Sequence, residues 1–257
     1  MKSYKFSLLL LGILYCHSCE LQPEQQNNIL VMVPTIEQEA TSIWRTINDI
    51  DFLKKQGYKI NLPENDLIQS LIEKSENGKF GNEDFPEIYN LLESNVYKKN
   101  NYQLALKKVM SQKKLINNLI NQLYDSKKNW NWEFKTFENY NVVFTLYGTG
   151  GSYDPDLGTI TLFTTIEGDF MNYDKPTNTI IHEIIHMGIE QSIVQKYNLA
   201  HGMKERIVDI ITYTMFKDFL PEYSIQKMGD PKIDKYLKEK KDIGNLDSII
   251  KKYVDEN

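Results

Sequence analysis

His182, Glu183 and His186 read H-E-x-x-H inside an apolar run from Thr177 to Ile193. The run predicts a buried helix. Side chains four residues apart share one helix face, so both imidazoles point the same way and can grip one ion. Glu183 sits about a quarter-turn further round, beside the ion rather than on it. Two nitrogen ligands with an adjacent carboxylate suit hydrolysis by a metal-activated water. The competing reading is a pair of core histidines satisfied by backbone groups. Two imidazoles at i,i+4 on a helix otherwise rich in isoleucine argue against it. The chain has four histidines, and with His17 in an N-terminal leader the remaining three are His182, His186 and His201.

A catalytic zinc takes three protein ligands and keeps a fourth position open. The segment His201–Asp209 offers the third. Glu205 and Asp209 are spaced i,i+4 on a second apolar helix that carries Ile207, Ile210, Ile211, Met215 and Phe216. His201 and Glu205 are both candidates. Glu190, four residues after His186, is placed to hold that imidazole or to pair with Arg206.

These residues resemble the zincin metallopeptidases, in particular the gluzincin branch that includes the thermolysin-like enzymes. Those carry H-E-x-x-H on one helix and E-x-x-x-D on the next. Here Glu205-x-x-x-Asp209 begins nineteen positions after His186, and the resemblance covers about thirty residues. It implies zinc bound by His182, His186 and Glu205, with Glu183 as general base. It also implies that Asp209 orients a ligand imidazole, which would fix its tautomer and raise its basicity. The implied activity is peptide-bond hydrolysis with Zn2+ as cofactor and a peptide or protein as substrate. His201, Tyr213 or Tyr153 would supply the oxyanion donor. A zinc amidase acting on cell-wall peptide would use the same residues. The alternative is a cell-surface lipoprotein with a structural or vestigial metal site, acting as a binding module; it gains if His201 and Glu205 both ligate and leave no place for water.

The elements around these residues predict an α+β chain, mostly helical, with a small antiparallel or mixed sheet ahead of the metal helix. Thr35 and Gln38 form a capping box, and apolar spacing carries a helix to about Gln56, before Gly57. Further helices are expected over 63–76, 85–97 and 102–124, making 35–125 a helical layer without chemistry of its own. Strands are expected at 132–137, 142–147 and 159–164, within a sheet region over 130–170. The stretch Gly148–Gly158 lacks the Gly-Lys-Ser/Thr ending of a phosphate loop and reads as a wide hairpin loop. Strand 159–164 is the expected edge for pairing with an extended substrate. The metal-site helices fill 174–220, with Asp174 or Thr177 as cap. Helices near 232–240 and 246–254 close a single domain over 35–257.

Ahead of this domain, Lys2 and Lys5 precede the apolar run Phe6–Tyr15, and Cys16 and Cys19 follow. The run suits a signal peptide over 1–18 and is short for a membrane span. It resembles a bacterial lipoprotein leader, with Ser18 before Cys19 favouring Cys19 over Cys16 as the lipidated residue. That implies export, a lipid anchor at the cell envelope, and a tether over 19–34. No other cysteine exists, so the mature chain has no disulfide and no thiolate zinc site. The net charge is −5, with both signs interspersed, and there is no basic stripe for nucleic acid.

Overall fold

A computed structural model describes residues 28–171 and 175–256. It is mostly helical with one mixed four-stranded sheet, an α+β architecture. The leader, Cys16 and Cys19 lie outside the described residues. Among those described, no helix is long and apolar enough to cross a membrane.

Strand β1 (Asn28–Met32) pairs in parallel with β2 (Asn139–Thr145). The tether expected over 19–34 therefore does not reach 34. From Ile29 the sequence turns apolar and β-branched; Ile29 is wholly buried, and its N–H donates to Asn117 Oδ1 at 3.2 Å.

The N-terminal helices follow. Helix α1 (Ile36–Asn48) opens on the capping box: Gln38 N–H donates to Thr35 Oγ1 at 3.1 Å, and Thr35 N–H to Gln38 Oε1 at 2.8 Å. The apolar spacing runs on, but Asp49 leaves helical geometry and α2 (Ile50–Lys55) restarts after it. Gly57, at φ +74°, closes α2 in the left-handed conformation that glycine adopts without a Cβ penalty. Helix α3 (Asp66–Glu76) begins later than Pro63 because Asn65 caps it, accepting from Leu67 N–H at 2.9 Å. Helix α4 (Phe85–Leu91) continues as a π-turn to Val96. Ala40, Ile43, Ile47, Ile68, Leu71, Ile88 and Leu92 form a small core beneath these helices.

Helix α5 (Gln103–Lys127) lies against the sheet and belongs to the main core. The segment expected as strand 132–137 is not a strand. Its alternation comes from packing against helical residues: Trp132 Nε1–H donates to Ile243 O at 2.7 Å, and Phe134 covers Gly188. Within it Lys135 N–H donates to Gly188 O, and just before it Asn131 N–H donates to Gly244 O, both at 3.0 Å.

The sheet order is β1-β2-β4-β3, where β3 is Gly151–Asp154 and β4 is Thr159–Phe163. Strands β2 and β4 pair in parallel, so the stretch between them is not one hairpin loop. It contains β3, which pairs antiparallel to β4. Strand β4 is thus internal rather than the edge expected of 159–164, and β3 is the edge strand on that side of the sheet.

Helix α6 (Pro176–Ile189) passes into a π-turn over Glu190–Gln195, and every residue of α6 except Thr179 is buried. Lys175 is its N-cap residue and Pro176 fills the first turn, where no N–H is needed. Thr177 does not cap; its hydroxyl bonds Gln112. Asp174 lies outside the described residues. Helix α7 (His201–Phe216) packs on α6. A 3-10 turn over Pro231–Lys235, then α8 (Lys240–Ile243) and α9 (Leu246–Glu256) complete the chain.

Candidate metal centre

The spacing in α6 brings the two imidazoles together: His182 Nε2 and His186 Nε2 stand 3.0 Å apart. Glu205, one turn into α7, aims Oε2 at both, 3.3 Å from His186 Nε2 and 3.4 Å from His182 Nε2. All three residues are buried, and among the described residues they form a group able to hold a metal ion. Nitrogen and oxygen donors at ~2.0–2.1 Å around a tetrahedral ion stand about 3.3 Å from one another. The three distances match that spacing, so the donor set fits a cation.

Behind His182 the support is built. Its Nδ1 is 2.6 Å from the Tyr223 hydroxyl and 3.3 Å from Asp209 Oδ1. The hydroxyl donates to Asp209 Oδ1 at 2.6 Å, so it accepts from the Nδ1–H. That tautomer leaves the Nε2 lone pair facing Glu205 and His186. Asp209 is itself held: it is wholly buried, and Oδ2 accepts from Gln226 N–H at 2.7 Å. His186 is supported differently. Its Nδ1 is buried without a hydrogen-bond partner, but the ring of Tyr153 from β3 stacks on it at 5.0 Å and 9°. Tyr153 is fixed in turn, its hydroxyl donating to Glu190 Oε2 at 2.7 Å.

The charges divide accordingly. Burial opposes a charge on His182, but hydrogen bonds to Asp209 and Glu205 outweigh it and raise its pKa. Burial and the neighbouring His182 charge push His186 down, against the pull of Glu205. Burial would raise Glu205, yet hydrogen bonds from the two imidazoles hold it far below the usual carboxylate range. Without an ion, a proton on His182 supplies the positive charge that this carboxylate faces. Glu183 is different. Burial pushes its carboxyl up to about 7, with Glu205 adding to the rise and His182 opposing it.

The remaining sequence candidates fall outside the donor group. His201 opens α7 with Nδ1 3.7 Å from Glu205 Oε1, the oxygen turned away from the imidazoles, and its Nε2 meets the Tyr58 hydroxyl at 3.2 Å. Tyr213 is on the outer face of α7, 39% exposed beneath Lys217, and does not reach the site. The helical period decides this: 213 is two turns past Glu205 but rotated off its face. Glu190 holds Tyr153 rather than His186, and Arg206 pairs with Asp234 instead.

Tyr223 and Tyr58 were not marked by the sequence. Tyr223 follows Asp209 by fourteen residues in an irregular segment, and Tyr58 lies in the link after α2. Neither belongs to a periodic pattern or a motif, so no local signal pointed to them. The chain matches no family model, no curated protein and no solved structure.

Proposed function

We propose that this chain is a zinc-dependent metallopeptidase of zincin type. His182, His186 and Glu205 hold the ion and Glu183 serves as general base. One observation carries the reading: three donors from two helices converge at ligand spacing, with a buried carboxylate beside them. Among the described residues three donors converge rather than four. A structural site normally fills all four positions with protein, so this count favours a catalytic site over the structural alternative.

Bound there, zinc supplies the Lewis acidity that lowers the pKa of water from 15.7 to about 7. The protein's share is proton transfer and orientation. Glu183 is a buried carboxyl one residue from a ligating imidazole, placed to take and return a proton beside the ion. Glu183 accepts a proton from the attacking water. It delivers that proton to the amine nitrogen as the peptide C–N bond breaks. Asp209 and Tyr223 keep His182 in its ligating tautomer. Strand β3 is a sheet edge packed against α6, and an extended peptide would add to it as a further strand.

The test is Glu183→Gln, with zinc content and hydrolysis of casein-type and cell-wall substrates measured together, with and without chelator. Full zinc with activity lost supports the assignment; retained hydrolysis removes Glu183 from the mechanism. We propose in addition that the chain is exported and anchored to the envelope through lipid on Cys19, as its leader pattern supports. Cys19→Ala should release the protein from the membrane fraction.

A further inference from the structure

We propose that the side of Glu205 turned away from the imidazoles is a carboxylate-binding pocket, formed by Lys204, His201 and Tyr58, and that the substrate presents a carboxylate there. This rests on the peptidase reading and names its substrate class: peptides with an anionic carboxylate close to the cleaved bond. The carboxylate is either the chain terminus or an acidic side chain.

Lys204 carries the argument. Its side chain is only 19% exposed, yet its nearest anion among the described residues is Glu205 Oε1 at 3.9 Å. That distance is at the outer limit of an ion pair. Other lysines pair at a comparable distance, Lys135 with Asp156 at 3.7 Å and Lys232 with Asp230 at 3.8 Å, but their side chains are 34% and 65% exposed, so water covers the charge that Lys204 keeps mostly enclosed. The Glu205 charge is already committed, since Oε2 serves both imidazoles. Lys204 otherwise touches Tyr153, donating to its hydroxyl at 3.3 Å and lying 5.4 Å over its ring. A mostly covered ammonium without a close counter-ion is unfavourable unless a ligand supplies one.

One more polar group faces the same oxygen of Glu205, and a second stands behind it. His201 Nδ1 is 3.7 Å from it, and the far side of that ring meets the Tyr58 hydroxyl. Phe52 of α2 holds the His201 ring edge-on at 5.5 Å and is 44% exposed, forming a rim. The first turn of α7 has no acidic residue and no side-chain cap, so its positive end adds to the pocket. The cluster also borders the reaction space. Lys204 and His201 face one oxygen of the carboxylate whose other oxygen faces both imidazoles. A carboxylate bound here would sit next to the bond that Glu183 serves.

The experiment uses matched peptides on the full protein: one ending in a free carboxylate, the same peptide amidated, and an internal Asp or Glu peptide beside its Asn or Gln counterpart. Wild type should prefer one carboxylate form over its neutral partner by roughly ten- to hundredfold in kcat/KM, mainly through KM. The first pair tests the terminus and the second the side chain. Lys204→Met should collapse that ratio towards one at unchanged zinc content, and Lys204→Arg should restore part of it. Calorimetry on zinc-loaded Glu183→Gln protein, with an N-acetyl dipeptide acid and its amide, gives a readout without turnover. There the acid should bind more tightly, and the gap should vanish when Lys204→Met is added. Equal rates and affinities for charged and neutral forms in wild type overturn the pocket. So does a Lys204→Met variant that loses activity equally on both, which would make the cluster an oxyanion donor. Failure of the peptidase reading looks different: no peptide is cleaved, while the calorimetric gap still decides the pocket.

Discussion

Gly151 of β3 lies directly against the carboxylate of Glu183: a Cβ at position 151 would overlap Oε1 and stand 2.7 Å from Thr179 Cγ2. The closest atom is the far end of the flexible Glu183 side chain, which would give way before the χ1-restricted Thr179 or the backbone. Gly151→Ala should therefore leave the fold and the zinc content intact and displace the base. A shift of about 1 Å at a reacting group can lower the rate about a hundredfold. We expect kcat to fall by about one to two orders of magnitude, with melting temperature and metal stoichiometry unchanged. Wild-type kcat in that variant would separate the glycine from the proposed base.

The bridge from His182 through the Tyr223 hydroxyl to Asp209 gives a second prediction. Removing a partner behind a ligating histidine typically lowers metal affinity about ten- to hundredfold. Tyr223→Phe keeps the ring that fills this buried place and deletes only the bridging hydroxyl. Zinc affinity, measured by competition with a chelating dye, should fall by that factor. Asp209→Asn should do the same. Undiminished affinity in both variants would show that the bridge does not tune the metal.

How much of this was legible in the sequence follows from the range of each signal. His182 and His186 converge because helical spacing is local, and the burial of α6 follows from its isoleucines; Glu205 joins them only through the packing of α7 on α6, which the E-x-x-x-D resemblance pointed to and spacing alone left open against His201. The α+β class and most helices were readable for the same reason. The edge strand was not. Residues 151–154 carry no β-branched run, and their pairing with β4 is set by the parallel β2–β4 register, a non-local fact. The false strand at 132–137 has the opposite cause. Period two records which side chains are buried, and helices can bury them as well as a neighbouring strand can. Tyr223 and Tyr58 act through tertiary placement alone.

A third prediction concerns Gly188 on the metal helix. In an exposed helix, glycine to alanine is favourable by about 0.8–1.0 kcal/mol. Here a Cβ would overlap the Phe134 ring, which is pinned edge-on by Trp130 at 5.5 Å and Trp132 at 6.0 Å. Overpacking a dense core costs ~1–3 kcal/mol, so the clash should outweigh the propensity gain. Gly188→Ala should lower the melting temperature. The loss should shrink when measured in a Phe134→Leu background, because the smaller side chain vacates the space. An additive double-mutant cycle would contradict the contact.

The fourth prediction tests how α1 is joined to the sheet. Glu39 is wholly buried, and it accepts hydrogen bonds from the Tyr102 and Thr145 hydroxyls and, at 2.9 Å, from Leu146 N–H. Burial raises its pKa above 4.5, and the three hydrogen bonds only partly oppose the rise. The folded state therefore binds this proton more tightly than the unfolded chain does. The resulting stability is fully present below the unfolded value near 4.5 and is lost as pH rises through the higher folded value. Gln approximates the protonated carboxyl at every pH. The melting temperature of Glu39→Gln relative to wild type should thus climb as pH increases from about 4 to 8, the range that begins near the unfolded value. Paired thermal scans across that range measure the difference directly. A constant offset, or one that falls with pH, would mean that burial does not raise the Glu39 pKa in the folded state.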